Sequence, residues 1–327
     1  MLSFVYTLFI ILIMRTKESV YQVLSSRKGE FVSGESLASE IGVSRAAIWK
    51  AVNALIEEGY NVEGVTRKGY RLLFSDVFSS RSLEASLDIP FCFYEEIDST
   101  NSEAKRLLSS GHKAPFAVIA ARQSGGRGRR GRSFVSAEGG VYFSLVLKNE
   151  GAMKVEKVTT QAAIGISRAI DSLGFSSSIK WVNDIYVDGK KCVGILTEGV
   201  VNLEENMISE VVIGIGTNYT TSKFPAELKD IVTSLYPDGN PPLSRSAFLA
   251  LEIKEVMKAL KEESYIDEYR SKCLVLSKEI NVIKNDVIRP AFALDLDDEA
   301  HLIVRYEDGS VEHLSSGDVS IRAIKAR

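Results

Sequence analysis

The sequence predicts an α+β protein of several domains, in which a winged helix-turn-helix is followed by a mixed α/β domain and a small β-barrel. Three observations predict this order. Residues 15–73 form short amphipathic helices and a hairpin-like stretch, residues 91–272 alternate between helical and strand periodicity, and short strands with turns follow from residue 274. The 327 residues are enough for two or three domains.

The composition is that of an ordinary soluble protein, and it excludes several classes. Apolar residues make up 45% and charged residues 25% of the chain, which excludes a disordered or fibrous protein. The net charge of −3 excludes a general basic field for indiscriminate binding of nucleic acid. Cys92, Cys192 and Cys273 form no metal or disulfide spacing, so we expect a reducing, cytoplasmic location. The three histidines argue against a metal site built from histidine.

The first 14 residues, MLSFVYTLFIILIM, are uncharged and nearly all apolar. They are shorter than the roughly 20 residues of a membrane span, and they lack the charged start and the cleavage site of a signal peptide. Our preferred hypothesis is that Met14 is the true start and that residues 1–13 come from an over-extended gene prediction. A weak membrane anchor is the alternative.

The segment that follows has the order of a helix-turn-helix. Ser36 is a candidate cap for a helix that runs to Ile41, and Gly42-Val43 forms the turn. Ser44 is expected to cap a second helix over Arg45–Glu58, which Gly59 ends. The predicted buried stripe of this helix consists of Ile48, Ala51, Val52, Leu55 and Ile56.

The opposite face of the second helix carries donor-rich side chains that are able to reach phosphates and base edges in the major groove of DNA. Two short strands then flank a basic tip, Thr66-Arg67-Lys68-Gly69, which suits a phosphate contact. The net charge of residues 15–73 is +2, from 9 Lys and Arg against 7 Asp and Glu, and it supports DNA binding weakly. A winged helix used for protein contact is the alternative. The candidate DNA-binding residues are Ser44, Arg45, Trp49, Lys50, Asn53, Arg67 and Lys68.

A polar, serine-rich stretch over residues 76–90, closed by Pro90, is interpreted as a linker with one helical turn. The predicted organisation is an N-terminal extension over 1–14, a DNA-binding domain over 15–75, the linker over 76–90, a central domain over 91–273 and a C-terminal domain over 274–327.

The most unusual segment, QSGGRGRRGR over residues 123–132, lies between two buried strand patterns. Its four glycines permit tight turns and close approach to a ligand, and its four arginines are donors for phosphate and carboxylate groups. A dinucleotide fingerprint is rejected because a strand follows where that motif needs a helix. A solvated basic loop and a disordered arginine-glycine tract are the weaker alternatives. We therefore predict a loop that closes over an anionic small molecule.

Two further stretches carry polar groups in positions that suit a ligand. Thr100 and Glu103 are spaced as a capping box for a helix over Asn101–Ser109, whose start would face a polar, uncharged head group. Lys180 lies in an apolar strand, where a lysine that is not on an exposed face is expected to point into a pocket and bind a carboxylate or phosphate. Asn183 and Asp184 follow, and Asp184 is a candidate Mg²⁺ ligand.

Taken together, these motifs resemble the biotin–protein ligase family, in the bifunctional form that is also the biotin operon repressor. The family's pattern of STN, QxxGRGRRGR, KWPND, GIL and GIGxN occurs here in order. It is represented by Ser99-Thr100-Asn101, residues 123–132, Lys180 to Asp184, Gly194-Ile195-Leu196 and Gly214 to Asn218. The resemblance covers the chain from about residue 15, and it implies a biotin/lipoate ligase type of central domain and an SH3-like C-terminal domain.

The resemblance implies a two-step reaction. The carboxylate of biotin attacks the α-phosphate of Mg·ATP, giving biotinyl-5′-AMP and pyrophosphate, and a lysine of a biotin carboxyl carrier protein then attacks the mixed anhydride. The carrier belongs to acetyl-CoA carboxylase or a related carboxylase. The resemblance also implies that biotinyl-AMP acts as co-repressor and that the loaded protein binds operator DNA as a homodimer.

The resemblance assigns roles residue by residue. The catalytic residues are Lys180 and Arg129, of which Arg129 retains the intermediate. The biotin-binding residues are Ser99, Thr100, Asn101, Gln123, Arg127, Gly128, Arg129, Lys180 and Gly194. The ATP- and adenylate-binding residues are Arg130, Arg132, Phe134, Asn183 and Asn218.

The sequence departs from the family pattern at two positions. Val182 stands where the family usually has proline, and Phe134 stands where an aromatic residue such as tryptophan is common. A lipoate–protein ligase and a non-catalytic biotin sensor are the alternative functions.

Overall fold

The computed structural model describes residues 16–27, 29–73, 75–149, 154–202, 207–284, 287–315 and 318–321. The predicted N-terminal extension over 1–14 lies outside the described residues. The chain separates into two compact units, Met1–Phe78 and Ser79–Arg327. Within the described ranges, no helix has both the length and the apolar character that crossing a membrane requires.

The first unit contains helices packed with a two-stranded antiparallel sheet. In chain order its described elements are α1 (16–26), α2 (Gly34–Ile41), α3 (Arg45–Glu57), β1 (Val62–Val65) and β2 (Gly69–Leu72). One apolar core joins all of them, and it includes Leu24 of α1, Leu37 of α2, Leu55 of α3 and Leu72 of β2. This order of helices followed by a hairpin confirms the predicted winged helix-turn-helix.

Serine residues cap both helices of the helix-turn-helix, but the first cap is not the predicted one. Ser33, not Ser36, is the N-cap of α2, because its Oγ accepts the Ser36 amide N–H at 3.0 Å. Both serines are acceptable caps three residues apart, so the sequence pattern alone did not separate them. Ser44 caps α3 as predicted, and Gly59 follows the helix with a φ of 92°. Ile56 is 47% exposed, so the prediction that it is buried was wrong.

The second unit is built on a seven-stranded sheet. Its strands are β3 (Phe91–Ile97), β4 (Phe116–Gln123), β5 (Val141–Lys148), β6 (Ser177–Lys180), β7 (Asp184–Val187), β8 (Lys190–Asn202) and β9 (Met207–Thr217). The strand order is β3-β4-β5-β9-β8-β7-β6, with β3 and β4 parallel and the other neighbours antiparallel. The central strands are therefore buried, which explains their nearly continuous apolar sequences.

Helices cover this sheet. They are α4 (Ser80–Glu84), α5 (Thr100–Ser109), α6 (Val155–Asp171), α7 (Arg245–Ala259) and α8 (Ile266–Lys272). Helix α5 contacts β4, β5 and β9, whereas α6 contacts β6 to β9 and pairs closely with α7. The α6–α7 approach depends on Gly165, where an added Cβ would lie 2.6 Å from the Val256 Cα.

The segment that the sequence predicts as a linker, 76–90, contains helix α4. Leu83 in this helix is fully buried, and the Ser82 and Ser246 hydroxyl oxygens are 2.7 Å apart. Helix α4 therefore belongs to the second unit and packs against α7 within it. The domain boundaries given above remain predictions.

The C-terminal part of the second unit is a five-stranded antiparallel sheet. Its strands are β10 (Glu279–Lys284), β11 (Val287–Leu296), β12 (Leu302–Tyr306), β13 (Val311–Leu314) and β14 (Asp318–Ile321), in the order β13-β12-β11-β10-β14. It is linked to the large sheet by Trp181, whose indole N–H donates to the Ala300 carbonyl oxygen at 2.9 Å. Trp181 is buried, and the Trp181–Val182 peptide bond is cis. The small C-terminal β-domain expected from the sequence is confirmed.

A carboxyl group lies in the core between the large sheet and α7. Glu252 is fully buried, and its Oε1 accepts a hydrogen bond from the Thr217 hydroxyl at 2.5 Å. Its Oε2 has no hydrogen-bond donor among the described residues. Because burial penalises the charged form, the pKa of Glu252 is raised to about 8 from its ordinary value of 4.5.

Protonation of Glu252 should make stability depend on pH. Between about pH 4.5 and 8 the folded protein keeps a proton that the unfolded chain releases, so the free energy of unfolding should fall as pH rises through this range. The loss should total roughly 3–5 kcal/mol. We expect Glu252→Gln to remove this part of the slope in urea unfolding at pH 5 and pH 8.5.

The matched control is Glu255→Gln on the same helix, which changes the same chemical group at a partly exposed position. The control should keep the wild-type slope. Equal slopes in wild type and Glu252→Gln would contradict the prediction.

Candidate functional site

A cavity of about 120 Å³ opens on the large sheet, beneath the loop that joins β4 to β5. The start of α5, the loop itself and the facing parts of β7, β8 and β9 form its walls. The structure brings the following predicted site residues to this cavity: Ser99, Thr100, Asn101, Gln123, Arg127, Gly128, Arg129, Arg132, Phe134, Asn183, Asp184 and Gly194.

The cap at the start of α5 differs from the predicted one. Ser99 is the N-cap, its Oγ accepting the Ser102 N–H at 3.4 Å, and the helix begins at Thr100. The predicted capping box of Thr100 with Glu103 was therefore wrong, because the helix starts one residue earlier. Glu103 instead accepts a hydrogen bond from the Tyr94 hydroxyl at 2.9 Å.

A buried network of polar groups forms the inner end of the cavity. The Gln123 Oε1 accepts the Thr100 N–H at 2.8 Å, and the Gln123 Nε2 donates to the Ser136 Oγ at 2.7 Å. The Ser144 Oγ, fully buried on β5, lies 2.8 Å from the Thr100 Oγ1 and 2.6 Å from the Asn101 Oδ1. These contacts fix Thr100 and Gln123 in single orientations at the wall of the cavity.

The amide nitrogen of Asn101 has two hydrogen-bond acceptors. Its Nδ2 donates to the Leu196 carbonyl oxygen at 3.2 Å and to the Glu198 Oε2 at 2.8 Å. The Glu198 Oε1 accepts from the Lys105 ammonium at 2.8 Å. Burial acts to raise the pKa of Glu198, but the hydrogen bonds from Lys105 and Asn101 hold it below its ordinary value. Glu198 is therefore an ionised acceptor at neutral pH.

The arginine-glycine loop confirms the predicted strand–loop–strand arrangement. It folds back on itself, with the Gly128 N–H donating to the Arg132 carbonyl oxygen at 2.7 Å. Its arginines diverge: the Arg129 guanidinium donates to the Asn183 Oδ1 at 3.4 Å, whereas that of Arg130 donates to the Ile283 carbonyl oxygen of the small sheet at 3.1 Å. Arg130 has a φ of 54°, in the left-handed region that residues other than glycine adopt rarely.

Phe134, at the end of this loop, packs on two glycines. Gly194 of β8 and Gly216 of β9 face each other in the sheet register. An added Cβ at Gly194 would lie 2.9 Å from the Phe134 ring, and one at Gly216 would lie 2.6 Å from it. The ring fits here because neither strand has a side chain at this point, so the two glycines determine where the loop ends.

The lysine that reaches the cavity is Lys191, which the sequence analysis did not select. Its ammonium lies 2.7 Å from the Asp184 Oδ1, and its backbone is held by hydrogen bonds with Ile231 and Thr233. Lys180 ends β6 with its ammonium 6.0 Å from the centre of the Tyr186 ring, and it is not among the described residues that line the cavity.

A β-bulge explains why Lys191 was missed. Lys191 and Gly194 are three residues apart, and in a regular strand this spacing places two residues on opposite faces. The register of β7 and β8 shifts between Ile185 and Tyr186, so both residues face the cavity. Further cavity residues that were not selected are Ser133, Ile195, Leu196, Gly214, Ile215 and Gly216.

Asn218 and Arg130 were expected at the adenylate, but neither is among the described residues that line the cavity. Asn218 is buried, with its backbone hydrogen-bonded to Cys192 and Leu235. Asp184 does face the cavity, where it is the one carboxylate among the described lining residues. In the described part of the chain, no group of three or more His, Cys, Asp or Glu side chains is arranged to hold a metal ion.

The first unit presents a separate candidate site. Trp49 is 59% exposed on α3, and Arg45 lies beside it on the same exposed face. These two residues and Arg67 of the hairpin tip line a groove of about 540 Å³. Ser44, Lys50 and Lys68 are also exposed, whereas Asn53 is half-buried. The groove lies between α3, which is the second helix of the helix-turn-helix, and the β1–β2 hairpin, which is the wing. These are the elements with which a winged helix-turn-helix contacts DNA.

Comparisons with known proteins agree with this fold and site. Residues 93–218 match the biotin/lipoate A/B protein ligase family, and residues 16–71 match an HTH domain family. The chain is 32% identical over 322 residues to the bifunctional ligase/repressor BirA of Bacillus spizizenii, covering 93% of this chain and 98% of that protein. It is 36% identical over 244 residues to the protein of the same name from Bacillus subtilis, covering 71% and 74%.

Among solved structures, a biotin protein ligase from Aquifex aeolicus in complex with biotin and ATP superposes with a TM-score of 0.62 at 27% identity. The match covers 71% of this chain and 98% of that one. The chain therefore belongs to the biotin/lipoate A/B protein ligase family. Within that family, it belongs with the biotin–protein ligases that carry an N-terminal helix-turn-helix domain, the bifunctional ligase/repressors.

The close fit of Phe134 on its two glycines gives a testable prediction. Gly216→Ala should displace the Phe134 ring and the end of the loop, because the added methyl group would lie 2.6 Å from the ring. We expect ligand affinity at the cavity to fall at least tenfold, measured as biotin binding by calorimetry.

Gly199→Ala is the control on the neighbouring strand. There the added methyl group meets the flexible end of the Ile208 side chain at 3.1 Å, away from the cavity. This variant should bind biotin as wild type does. Equal effects of the two substitutions would show that the loss comes from disturbing the sheet and not from moving Phe134.

Proposed function

We propose that the protein ligates biotin to one lysine of a biotin carboxyl carrier protein, using ATP, and represses transcription when biotin is abundant. The observation that supports the ligase function most directly is a single cavity that joins an uncharged polar end to a cluster of cations. The polar end, at Thr100 and Gln123, suits the ureido ring of biotin. The cationic end, with Arg129 and Lys191, suits a carboxylate and a phosphate.

The first step joins two anions. A biotin carboxylate oxygen attacks the α-phosphorus of ATP, and the bond from that phosphorus to the bridging oxygen breaks, releasing pyrophosphate. Repulsion between the carboxylate and the phosphates opposes this attack, so cations at the meeting point lower the barrier. The described residues that line the cavity include four cations, Arg127, Arg129, Arg132 and Lys191, against the single carboxylate of Asp184.

The second step transfers the biotinyl group. The amine of the carrier lysine attacks the acyl carbon of biotinyl-5′-AMP, AMP leaves, and an amide forms. The mixed anhydride must be kept from water until the carrier arrives. We propose that the loop over residues 123–134 shields it, with Arg129 retaining the phosphate.

Mg²⁺ is proposed to enter with ATP. Magnesium sites of this kind use one or two carboxylates together with substrate phosphates. Asp184 fits that role, because its carboxylate faces the cavity and is paired with Lys191 rather than hydrogen-bonded into the core. When bound, the ion neutralises phosphate charge at the α-phosphorus.

Lys180 stays our candidate for the lysine that contacts the biotin carboxylate and the phosphate, because it lies opposite the cavity residue Asp184 in the register of β6 and β7. Lys191 is a second candidate, since it lines the cavity and pairs with the same Asp184. Arg130 and Asn218 stay candidates for adenylate contact through rearrangement of the loop and of the segment after β9.

The ligase function is tested with carrier domain and Mg·ATP, supplied with either biotin or lipoate. We expect the carrier mass to rise by one biotinyl group with biotin and to stay unchanged with lipoate. Labelling by lipoate would indicate a lipoate ligase. Biotin binding without any labelling would indicate a sensor that is not an enzyme.

The two lysines are compared by substitution. Lys180→Ala should fold but lower the rate of pyrophosphate release about 10²–10³-fold, because a charge contact at a phosphoryl transition state is lost. Lys191→Ala should lower this rate less. The reverse ranking would give the catalytic role to Lys191.

Repression is proposed to act through the first unit. The exposed face of α3 and the basic wing tip form a surface for the major groove and its phosphates. One such unit reads few base pairs, so we propose that two copies bind one operator as a dimer. We further propose that biotinyl-AMP is the co-repressor that favours this dimer.

DNA binding is tested with the full-length protein loaded with biotinyl-AMP and a DNA fragment upstream of biotin synthesis or transport genes. Arg45→Ala and Trp49→Ala should each lower the affinity about 10–100-fold, because each removes a contact to a base edge or phosphate. Ser26→Ala, an exposed change on α1, should have no effect. If the loaded wild type binds no such fragment, the protein is a ligase without repressor function.

A further inference from the structure

In the hydrogen-bond network behind the cavity, the order of donors and acceptors is determined from Glu198 onward. The carboxylate of Glu198 is only able to accept, and so is the Leu196 carbonyl oxygen. Both accept from the Asn101 Nδ2, at 2.8 Å and 3.2 Å. The two protons of the Asn101 amide are thereby used, and its Oδ1 must face Ser144.

The same order of donors and acceptors continues at the hydroxyl groups of Ser144 and Thr100. Ser144 has one proton and lies 2.6 Å from the Asn101 Oδ1, an oxygen that is only able to accept, so its proton goes there. The lone pairs of Ser144 then face the Thr100 Oγ1 at 2.8 Å. The Thr100 proton points either to Ser144 or to the Gln123 Oε1 at 3.2 Å, and both are acceptors within the protein. In both cases Thr100 presents its oxygen lone pairs to the cavity it lines.

We infer that Glu198 determines the specificity of the head-group pocket: through Asn101 and Ser144 it makes Thr100 an acceptor, which selects a ligand ring that carries N–H donors. This inference rests on the proposed function, in which that ring is the ureido ring of biotin. Glu198 acts through other residues, so it is a positioning residue.

Support for this direction comes from the surroundings of Glu198. Lys105 donates to its second carboxylate oxygen at 2.8 Å, which keeps the group ionised and therefore unable to donate to Asn101. An added Cβ at Gly214 would lie 2.1 Å from the Asn101 Oδ1, so the amide occupies a space shaped around it. A glutamine at position 198 would be able to donate, and Asn101 would then be free to turn its Nδ2 toward Ser144. Ser144 would in turn donate to Thr100 and use one of its lone pairs.

The experiment compares two ligands by calorimetry. One is biotin, and the other is its cyclic carbamate analogue, in which a ring oxygen replaces one ureido N–H at nearly the same size. Wild type should bind biotin at least tenfold more tightly than the analogue, since a buried acceptor left without its donor is costly. In Glu198→Gln this ratio should fall about tenfold.

Two further variants isolate the relay. Lys105→Met removes the ion pair but leaves the bond from Asn101 to Glu198, so it should keep the wild-type ratio at pH 9, where the carboxylate is ionised without the lysine. Ser144→Ala interrupts the path to Thr100, so adding Glu198→Gln to it should produce no further change in the ratio. If Glu198→Gln does not unfold cooperatively, the charge-reversed pair Lys105→Glu with Glu198→Lys decides, because it keeps an ion pair and places a donor at position 198: a wild-type ratio there overturns the inference.

The outcomes separate the inference from the proposed function. Glu198→Gln that weakens both ligands equally would show a merely structural role and overturn the inference, while biotin ligation by wild type stands. A change of ratio in Lys105→Met at pH 9 as large as that in Glu198→Gln would also overturn it. Wild type that neither binds biotin nor labels carrier would overturn the proposed function itself.

Discussion

The ligand site depends on two glycines that face each other across the centre of the large sheet. Gly194 and Gly216 leave a gap in the side-chain layer, and the ring of Phe134 fills it. Because Phe134 ends the arginine-glycine loop, the contact fixes one end of a segment whose glycines give it high conformational freedom. The other end is fixed by Gln123, which is bonded to the start of α5. A flexible loop with two fixed ends is able to close over a ligand and still keep its arginines near the same place.

The polarity of the cavity is as important as its shape. At one end, nearly every proton of the buried network is assigned to an acceptor within the protein, so the wall is rigid and selective. At the other end, Lys191 and the arginines of the loop line the cavity, with Asp184 as the one carboxylate among the described lining residues. Cations placed in this way favour the entry of anions. The site is thus built for a ligand with a neutral, donor-rich head and an anionic tail.

Local patterns predicted the parts of the site that are continuous in sequence. The arginine-glycine loop was predicted because two apolar strands enclose it, whereas Phe134 was selected because the family that the sequence resembles commonly has an aromatic residue after the loop. Lys191 was missed because a β-bulge changes which face of β8 it occupies, and no pattern in a single sequence reveals a bulge. Ser144 and Glu198 were missed for another reason. Each acts by a contact with Asn101, more than 40 residues away along the chain, and such contacts exist only in the folded structure.

The indole of Trp181 joins the strand end that precedes Asn183 and Asp184 to a turn of the small C-terminal sheet. Arg130 makes a second connection to the same sheet from the loop above the cavity. A protein engineer who wished to transplant the ligase into another scaffold would therefore be unable to cut after α8. The portable fragment has to begin with α4, which packs on α7, and to include the small sheet, because the loop and the segment before β7 both donate hydrogen bonds to that sheet.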